Sequence, residues 1–174
     1  RFLSKLGIYR RMKKILLLSD THGHIDEQIL KHAKASDEVW HAGDIGSLNV
    51  TDALKSVSNL RAVFGNIDAA SVRNEFSEHL KFNCEGISVW ITHIGGYPPK
   101  YNMRTKAEIK LNPPDLFICG HSHILKVMPD KNLNLIHMNP GAIGKHGFHK
   151  KRTMLRFKIS EGQIKDLEVI EYPK

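Results

Sequence analysis

The sequence predicts an α/β protein built as a four-layer α/β/β/α sandwich, in which two mixed β-sheets pack face to face and helices cover their outer surfaces. Three observations support this prediction. The N-terminal part repeats a strand followed by a polar loop, with helices between the strands, which is typical of parallel strands joined by crossover helices. A β-hairpin pattern follows in the middle. The last third of the chain is dominated by strand patterns separated by turns.

The N-terminal part contains three strands alternating with two helices. The first strand ends in the apolar run from Ile15 to Leu18, which is typical of a strand buried on both faces. Apolar residues that recur at helical spacing predict the two helices. The predicted strands cover residues 13–18, 38–41 and 60–64, and the predicted helices cover residues 25–35 and 50–57.

The remainder of the chain is predicted to be mostly strand. Glu85-Gly86 is a two-residue turn signal between two apolar runs and therefore predicts a hairpin. A helix from about Asn102 to Leu111 ends before Asn112-Pro113-Pro114, because proline cannot continue a helix. The other strands, separated by turns such as Pro129-Asp130, are expected at residues 80–84, 87–92, 116–119, 124–128, 134–138, 153–159 and 164–170.

Length and charge indicate one folded domain preceded by a basic segment. A chain of 174 residues, with 41% hydrophobic and 25% charged residues, has the size and composition of one ordinary globular domain. Half of its net charge of +8 lies in residues 1–11, upstream of Met12. We therefore interpret residues 1–11 as a basic leader or an expression remnant, and residues 12–174 as the single domain.

The composition also excludes several classes of protein. The longest uninterrupted apolar run has four residues, whereas a membrane span requires roughly 18. Cys84 and Cys119 each lie in an apolar, strand-like run, which favours buried thiols over a disulfide framework. We expect a cytoplasmic protein that does not associate with membranes.

Polar clusters follow the predicted strands at the point where each strand ends. Ligands of α/β proteins bind outside the carboxyl ends of the strands, so we expect these loops to converge. Imidazole, carboxylate and amide groups together suit borderline divalent metals. Two ions that share one carboxylate would use the whole set, and such pairs act on phosphorus. The candidate metal ligands are Asp20, His22, Asp44, Asn66, His93, His121 and His123.

These motifs resemble those of the calcineurin-like metallophosphoesterases, in particular the small single-domain bacterial and archaeal phosphodiesterases. The resemblance spans about residues 13–170, and its five motifs occur in the family's order. It implies the metallophosphoesterase fold, which is the four-layer sandwich predicted above. The motifs are Asp20-Thr21-His22, Gly43-Asp44, Gly65-Asn66-Ile67-Asp68, His93 and Gly120-His121-Ser122-His123.

The resemblance also implies a ligand set and a reaction. A hydroxide that bridges two metal ions would attack phosphorus in line. The expected ions are two per chain, with Mn²⁺ as the first choice and Ni²⁺, Zn²⁺ or Fe²⁺ as alternatives. The residues expected to take part in catalysis are Asn66, Asp44 and His121. One ion would be held by Asp20, His22, Asp44 and His123, and the other by Asp44, Asn66, His93 and His121, so that Asp44 bridges them.

Two positions depart from the family pattern. Many members carry a histidine after the Gly-Asn pair, which acts as the general acid for the leaving group, and here that position is Ile67. A missing general acid costs roughly 10² to 10⁴ in rate, so activated aryl diesters should react better than alkyl diesters. The second departure is His93-Ile94-Gly95, where the branch often has a second histidine.

Two further segments are candidates for the cleft. Residues 145–152 are basic and contain no acid, and this segment could attract a phosphate substrate. A solvated basic loop is the alternative. The candidate substrate contacts are Asn66, Lys145 and His146. The loop around Tyr97 is interpreted as a helix entry rather than a wall of the cleft.

Three functions are compared. A metal-dependent phosphodiesterase acting on a small phosphodiester is favoured by the complete ligand set. A non-catalytic, metal-binding scaffold for protein interaction is one alternative, as in the retromer subunit that resembles these enzymes. A nuclease-type phosphodiesterase is another. Nucleic acid is disfavoured as a partner, because the sequence has no basic stripe interleaved with aromatic residues. By analogy with relatives, we expect a homodimer.

Overall fold

The structure is a computed structural model that describes residues 12–174. The interpretation of residues 1–11 as a leader concerns residues outside this range. Within residues 12–174, no helix combines the length and the apolar character that crossing a membrane would require.

Twelve strands and four helices make up the described part of the chain. The helices are α1 (Glu27–Lys34), α2 (Leu48–Lys55), α3 (Ala70–Glu75) and α4 (Met103–Leu111). The strands are β1 (Met12–Leu18), β2 (Glu38–His41), β3 (Asn59–Ala62), β4 (His79–Cys84), β5 (Ile87–Thr92), β6 (Gly96–Tyr97), β7 (Lys100–Tyr101), β8 (Leu116–Ile118), β9 (Leu125–Asp130), β10 (Leu135–Pro140), β11 (Lys151–Ser160) and β12 (Gln163–Pro173).

The strands form two five-stranded mixed sheets and one small hairpin. The first sheet has the order β12-β11-β1-β2-β3, and the second has the order β4-β5-β8-β10-β9. β1, β2 and β3 run parallel, as the alternation of strands and helices predicts. β5, β8 and β10 are also parallel, whereas β4, β9 and β11 pair antiparallel with their neighbours. β6 and β7 form the separate hairpin.

Three apolar cores separate the layers. β1 is buried on both faces, because successive side chains of a strand point to opposite sides: Leu17 enters the core between the sheets, and Leu16 enters the core under the helices. Ile29 of α1 also packs into that outer core. On the other side of the molecule, Ile109 of α4 packs with Phe117 of the second sheet. The predicted α/β/β/α sandwich is therefore confirmed.

One buried carboxylate connects three neighbouring strands of the first sheet. Glu38 of β2 accepts hydrogen bonds from Lys13 Nζ at 2.5 Å, Trp40 Nε1 at 2.9 Å and Arg61 Nε at 2.9 Å. Burial alone would raise the pKa of Glu38, but these hydrogen bonds outweigh it and lower the pKa to about 2. The side chain is only 7% exposed.

Parts of the fold differ from the sequence prediction, which also lacks the hairpin of β6 and β7. The predicted turn at Pro129-Asp130 is wrong: both residues belong to β9, and the turn follows at residues 131–134. Proline is tolerated there because β9 is an edge strand. The Asp130 carboxylate accepts the backbone N–H of Asn132 at 3.0 Å, which supports the turn. The sequence analysis also missed α3, whose six residues are too few for a helical repeat to be recognised.

Candidate metal centre

The polar loops that follow the strands of both sheets meet at one edge of the molecule. In the first sheet, Asp20 N–H donates to Gly43 O at 2.9 Å, which joins the loops after β1 and β2. In the second sheet, Gly120 N–H donates to His93 O at 3.0 Å, which joins the loops after β8 and β5. The N–H of His121 donates to the Asp20 carboxylate at 3.2 Å. This last bond connects the two sheets at the site.

Six of the seven predicted ligands form two groups of three side chains, and within each group the ligand atoms lie within 4.8 Å of one another. Asp20 Oδ1 lies 3.1 Å from His123 Nε2, and Asp44 Oδ1 lies 3.1 Å from His93 Nε2. The first group is Asp20, His22 and His123, and the second group is Asp44, His93 and His121.

Asp44 is placed between the two groups. Its Oδ1 faces His93 of the second group, and its Oδ2 lies 3.6 Å from His22 Nε2 of the first group. Asp20 Oδ1 in turn lies 3.9 Å from His93 Nε2. A carboxylate with one oxygen toward each group has the placement that a ligand shared by two ions requires.

The donor atoms of these groups fit cations. His93 Nδ1–H donates to Ala42 O at 2.7 Å, so Nε2 of the neutral ring carries a lone pair that faces a carboxylate oxygen. Asp20 Oδ1, His22 Nε2 and His93 Nε2 are buried and have no hydrogen-bond partner. Buried acceptors that face one another are costly unless a cation lies between them.

The electrostatics of the second group support the same conclusion. Burial alone would lower the pKa of His93, but contact with Asp44 and the negative charges of Asp20 and Asp44 raise it, because they favour a positive charge at Nε2. Burial alone would raise the pKa of Asp44. His93, the Ile67 N–H and His22 outweigh burial and lower that pKa, which keeps the carboxylate ionised.

Most of the predicted ligands have an unusual backbone conformation. Only nine non-glycine residues in the described part of the chain have a positive φ, and five of them belong to the two groups. Non-glycine residues with this conformation are uncommon and cluster at functional sites. The five ligands and their φ angles are Asp20 (56°), His22 (45°), Asp44 (54°), His121 (69°) and His123 (59°).

The glycines of the motifs let the ligand side chains approach the neighbouring backbone. A Cβ atom added to Gly65 would lie 2.0 Å from Asp44 Oδ1. A Cβ atom added to Gly43 would lie 2.6 Å from His93 Nδ1. Both distances are far below van der Waals contact, so neither position can carry a side chain unless the ligand moves.

Asn66, the seventh predicted ligand, lies at the solvent edge of the second group. Its side chain is exposed, and together with His93 it lines a cavity of about 450 Å³. Arg73 and Arg104 line the same cavity. The Arg73 guanidinium donates to the backbone carbonyls of Asp68 and Asn66, at 2.6 and 3.2 Å. Arg73 has no carboxylate partner among residues 12–174. It was not recognised as a candidate site residue from the sequence.

Asp68 holds the second group's loops together. Its buried carboxylate accepts the N–H groups of Gly65 at 2.7 Å, Ile45 at 3.1 Å and Gly46 at 2.7 Å. The loop that carries Asp44 is thereby fixed to the loop that carries Asn66. Asp68 belongs to the recognised Gly65-Asn66-Ile67-Asp68 motif, but no role was predicted for it from the sequence.

His41 supports the loop of the first group from below. It is fully buried, its Nδ1 accepts the Gly43 N–H at 3.1 Å, and its Nε2 lies 2.9 Å from Thr21 Oγ1. Because Nδ1 accepts, Nε2 carries the proton and donates to Thr21. Burial lowers the pKa of His41 to about 4, so the ring is neutral at physiological pH.

The basic segment predicted from the sequence lies against the first group. The His146 ring centroid is 4.7 Å from that of His22, and Lys145 is exposed beside it. His149 belongs to the same predicted segment but was assigned no individual role from the sequence, and its ring is 5.2 Å from that of His123. His149 Nε2–H donates to Gly144 O at 2.9 Å, which leaves Nδ1 buried and without a partner. The two histidines in an acid-free segment were the available sequence signal. We call residues 144–150 the covering loop.

The structure explains one departure from the family pattern and describes the other. A Cβ atom added to Gly95 would lie 2.2 Å from Cys119 Sγ and 2.7 Å from Phe117 Cζ, so this position cannot hold a histidine in the present packing. Ile67 donates its backbone N–H to Asp44 Oδ1 at 3.1 Å, and its side chain is exposed. That side chain can neither donate nor accept a proton.

Tyr97 contributes to the site, which its interpretation as part of a helix entry did not include. It lies in β6, and its hydroxyl contacts Ser122 Oγ within the Gly-His-Ser-His loop. Asn139 Nδ2 donates to Gly120 O at 2.9 Å and to Ser122 Oγ at 3.2 Å. Tyr97 and Asn139 therefore fix the loop that carries His121.

Comparisons with known proteins agree with this geometry. The family model described as "Calcineurin-like phosphoesterase superfamily domain" matches residues 12–162. A curated protein of Mycoplasma pneumoniae, named "Probable metallophosphoesterase", is 29% identical over 166 residues, which cover 90% of this chain and 96% of that protein.

Solved structures share the fold. A structure described as a novel archaeal phosphodiesterase has a TM-score of 0.69 and 20% identity, and the match covers 91% of this chain and 99% of that one. Vps29 from Entamoeba histolytica, solved in complex with Zn²⁺, has a TM-score of 0.66 and 15% identity, with coverage of 91% and 98%. At these identities the likeness concerns the fold.

Proposed function

The chain belongs to the calcineurin-like phosphoesterase superfamily, and from this membership we propose that it is a metal-dependent phosphodiesterase acting on small phosphodiesters. The observation that carries the proposal is the position of Asp44, with one carboxylate oxygen toward each ligand group. The archaeal phosphodiesterase among its structural relatives supports a diester as the substrate.

We assign the ligands to the two ions as the family resemblance implies. Two divalent ions, when bound, supply a nucleophile at neutral pH and neutralise the charge on the phosphoryl oxygens. The mixed nitrogen and oxygen donors favour Mn²⁺ or another borderline ion over Ca²⁺. Asp20, His22, Asp44 and His123 would hold one ion, and Asp44, Asn66, His93 and His121 would hold the other.

The chain's own side chains bind and orient the substrate. Asn66 lies at the exposed edge of the second group, where its amide N–H can donate to a phosphoryl oxygen while its carbonyl oxygen serves as a ligand. The Arg73 guanidinium in the same cavity has no carboxylate partner among residues 12–174, and its positive charge attracts the phosphate anion. His121 is exposed beside His93, with ring centroids 5.3 Å apart, and therefore faces the incoming ester.

The leaving group receives no proton from the position next to Asn66. Ile67 occupies the place of the usual general acid, so the reaction favours leaving groups that are stable as anions. The same feature favours the second candidate function, a non-catalytic metal-binding scaffold. Activity toward an activated ester therefore separates the two functions most directly.

The test is hydrolysis of bis-p-nitrophenyl phosphate by chelator-treated protein after addition of Mn²⁺, Ni²⁺, Zn²⁺ or Mg²⁺. Ion binding is counted in parallel by elemental analysis. Asp44→Asn should abolish the restored activity, whereas Asp52→Asn, which alters an exposed carboxylate on α2, should leave it unchanged. Two bound ions per chain without turnover for any metal would refute the phosphodiesterase and favour the scaffold.

A further inference from the structure

Exposed isoleucines directly follow three ligands of the candidate metal centre. Consecutive Cα atoms are only 3.8 Å apart, so the backbone of a residue that directly follows a ligand lies close to the site. Ile45, which follows Asp44, is nevertheless buried in the core under the helices. The three other isoleucines at such positions are exposed, and large apolar side chains at a polar site require an explanation. They are Ile67 after Asn66 (46% exposed), Ile94 after His93 (37%) and Ile124 after His123 (60%).

Phe148 of the covering loop is the largest of these apolar side chains. It is fully exposed, with a relative accessibility of 104%. Both of its neighbours contact the ligand His123: a Cβ atom on Gly147 would lie 2.4 Å from His123 Nδ1, and the His149 ring lies 5.2 Å from the His123 ring. Phe148 is therefore held within one residue of the first ligand group while its own ring remains free.

The covering loop is anchored on both sides of Phe148. Gly144 N–H donates to Asp20 O at 3.1 Å, and His149 donates back to Gly144 O. The buried Arg152 donates to Ile143 O at 2.7 Å and to Asp26 at 2.7 Å. Because the loop is fixed to the site, the backbone of Phe148 is already in position before a ligand binds. This reduces the entropy lost when a ligand contacts the ring.

Positive charge accompanies the apolar side chains. Lys145 and Lys150 flank Phe148, both are exposed, and the covering loop contains no acid. Arg73 adds a guanidinium on the opposite side, next to Asn66. A ligand that combines an anion with an apolar ring matches both properties of this surface, whereas inorganic phosphate would leave the apolar side chains unused.

Exposed apolar residues elsewhere on the molecule are distributed differently. An isolated example such as Leu111 at the end of α4 is normal on a protein surface. At the metal centre, by contrast, four exposed apolar residues lie within a few residues of metal ligands in sequence: the three isoleucines and Phe148. A small ligand explains this arrangement better than a protein partner, because the backbone of Phe148 lies between Gly147 and His149, which both adjoin the predicted metal ligand His123.

From these observations we propose that the site selects phosphodiesters that carry an aromatic ring, and that Phe148 is the specificity-determining contact that packs against this ring. The inference rests on the proposed phosphodiesterase function and specifies its substrate class. The ring can be a simple aryl group or a nucleobase, because both present the same flat apolar face.

The test compares the binding of diphenyl phosphate and dimethyl phosphate to the Mn²⁺-loaded protein by calorimetry. Both are diester anions of the same charge, and they differ in the rings. We expect diphenyl phosphate to bind about tenfold more tightly, the upper range for an aromatic contact. Phe148→Ala should remove this preference and leave dimethyl phosphate binding unchanged, and Phe148→Leu should be intermediate. Leu111→Ala, an exposed apolar residue far along α4, should behave as the wild type.

A second arm identifies the source of the ring. Tighter binding of thymidylyl-thymidine than of diphenyl phosphate would assign the surface to nucleobases, and the reverse order would assign it to simple aryl groups. Equal binding of diphenyl and dimethyl phosphate, or a preference that survives Phe148→Ala, would overturn the inference and leave Phe148 as a contact for a protein partner.

The two proposals fail in different ways. Hydrolysis of bis-p-nitrophenyl phosphate without any ring preference in binding would overturn the substrate class alone. A ring preference that depends on Phe148, without hydrolysis for any metal, would support the substrate contact and refute the enzymatic function. Loss of both hydrolysis and diester binding would refute both.

Discussion

Substitution of Gly65 by alanine should disable the metal centre through one added methyl group. The new Cβ would lie 2.0 Å from Asp44 Oδ1, 2.3 Å from Asp44 N and 2.8 Å from Asp44 Cγ. Rotation of the carboxylate can relieve the first contact but not the second, because the second involves the backbone. The φ angle of Gly65 is not positive, so alanine is compatible with its backbone and the steric contact is the whole perturbation.

The magnitude follows from these distances. Restoring ordinary contact requires the loop of Asp44 to move by about 1 Å or more. Such a displacement removes the carboxylate from its place between His22 and His93, and misplacement by about 1 Å costs roughly 10² in rate. Inserting one methyl group into a packed region also costs about 1 to 3 kcal/mol in the free energy of unfolding. We expect weaker metal binding and a kcat about 100-fold lower.

The assay combines calorimetric titration with Mn²⁺, hydrolysis of bis-p-nitrophenyl phosphate and urea unfolding. Gly162→Ala is the matched control: Gly162 lies in the turn between β11 and β12 with a φ of 73°, and a Cβ atom added there would meet only Gly86 O, at 3.5 Å. Alanine at this position is strained by about 1 kcal/mol but does not touch the site. This control should lose stability and retain metal affinity and turnover.

Two results would refute the reasoning. If Gly65→Ala bound two ions with wild-type affinity and retained its rate within about threefold, a 1 Å shift of Asp44 would not matter and Asp44 could not be the shared ligand. If Gly162→Ala lost as much activity as Gly65→Ala, the effect would reflect general stability instead of the geometry of Asp44.

Three further predictions concern other parts of the structure. Gly95→Ala should lower the free energy of unfolding in urea by about 1 to 3 kcal/mol. Cys119→Ala should partly offset that loss, because it removes the sulfur that would lie 2.2 Å from the new Cβ. Additive effects of the two substitutions would contradict the packing argument. His149→Ala should lower the affinity for Mn²⁺ by about tenfold in calorimetry, because the His123 ring loses its neighbour; an unchanged affinity would exclude this supporting role. Glu38 has a pKa of about 2 in the folded state against 4.5 ordinarily, so its stabilising effect is present above pH 4.5 and is lost as the pH falls toward 2. The free energy of unfolding in urea should therefore fall by roughly 2 to 3 kcal/mol less over this pH range in Glu38→Gln than in the wild type. Identical pH profiles would show that Glu38 does not cause this pH dependence.

The parts of the fold that local pattern determines could be predicted from the sequence. β2 has the predicted bounds, because its four residues are buried and end at a polar loop. The parallel order of β1 to β3 follows from the helices between them. The Pro129-Asp130 turn was wrong because proline also fits an edge strand, and a sequence does not reveal which strand lies at an edge.

The candidate site could be predicted where residue type and position after a strand were sufficient. The structure brings six of the seven predicted ligands into two groups by these criteria. Residues that act through long-range contacts could not be recognised. His149 is 26 residues from His123 in sequence, and Tyr97 is 25 residues from Ser122, yet each contacts its partner. Nothing local to either residue indicates that contact.

The backbone of the ligands explains why the site depends on both sheets. Five predicted ligands have a positive φ, which costs about 1 kcal/mol or more for each non-glycine residue. The loops would relax from this conformation unless other bonds held them. The cross-loop bonds of Asp20 to Gly43, of Gly120 to His93 and of His121 to Asp20 provide that restraint, and the last of these joins the two sheets. The packed scaffold therefore offsets the strain. Donor atoms positioned in this way bind cations without a further loss of backbone entropy, which increases the affinity that the same residues would have on flexible loops.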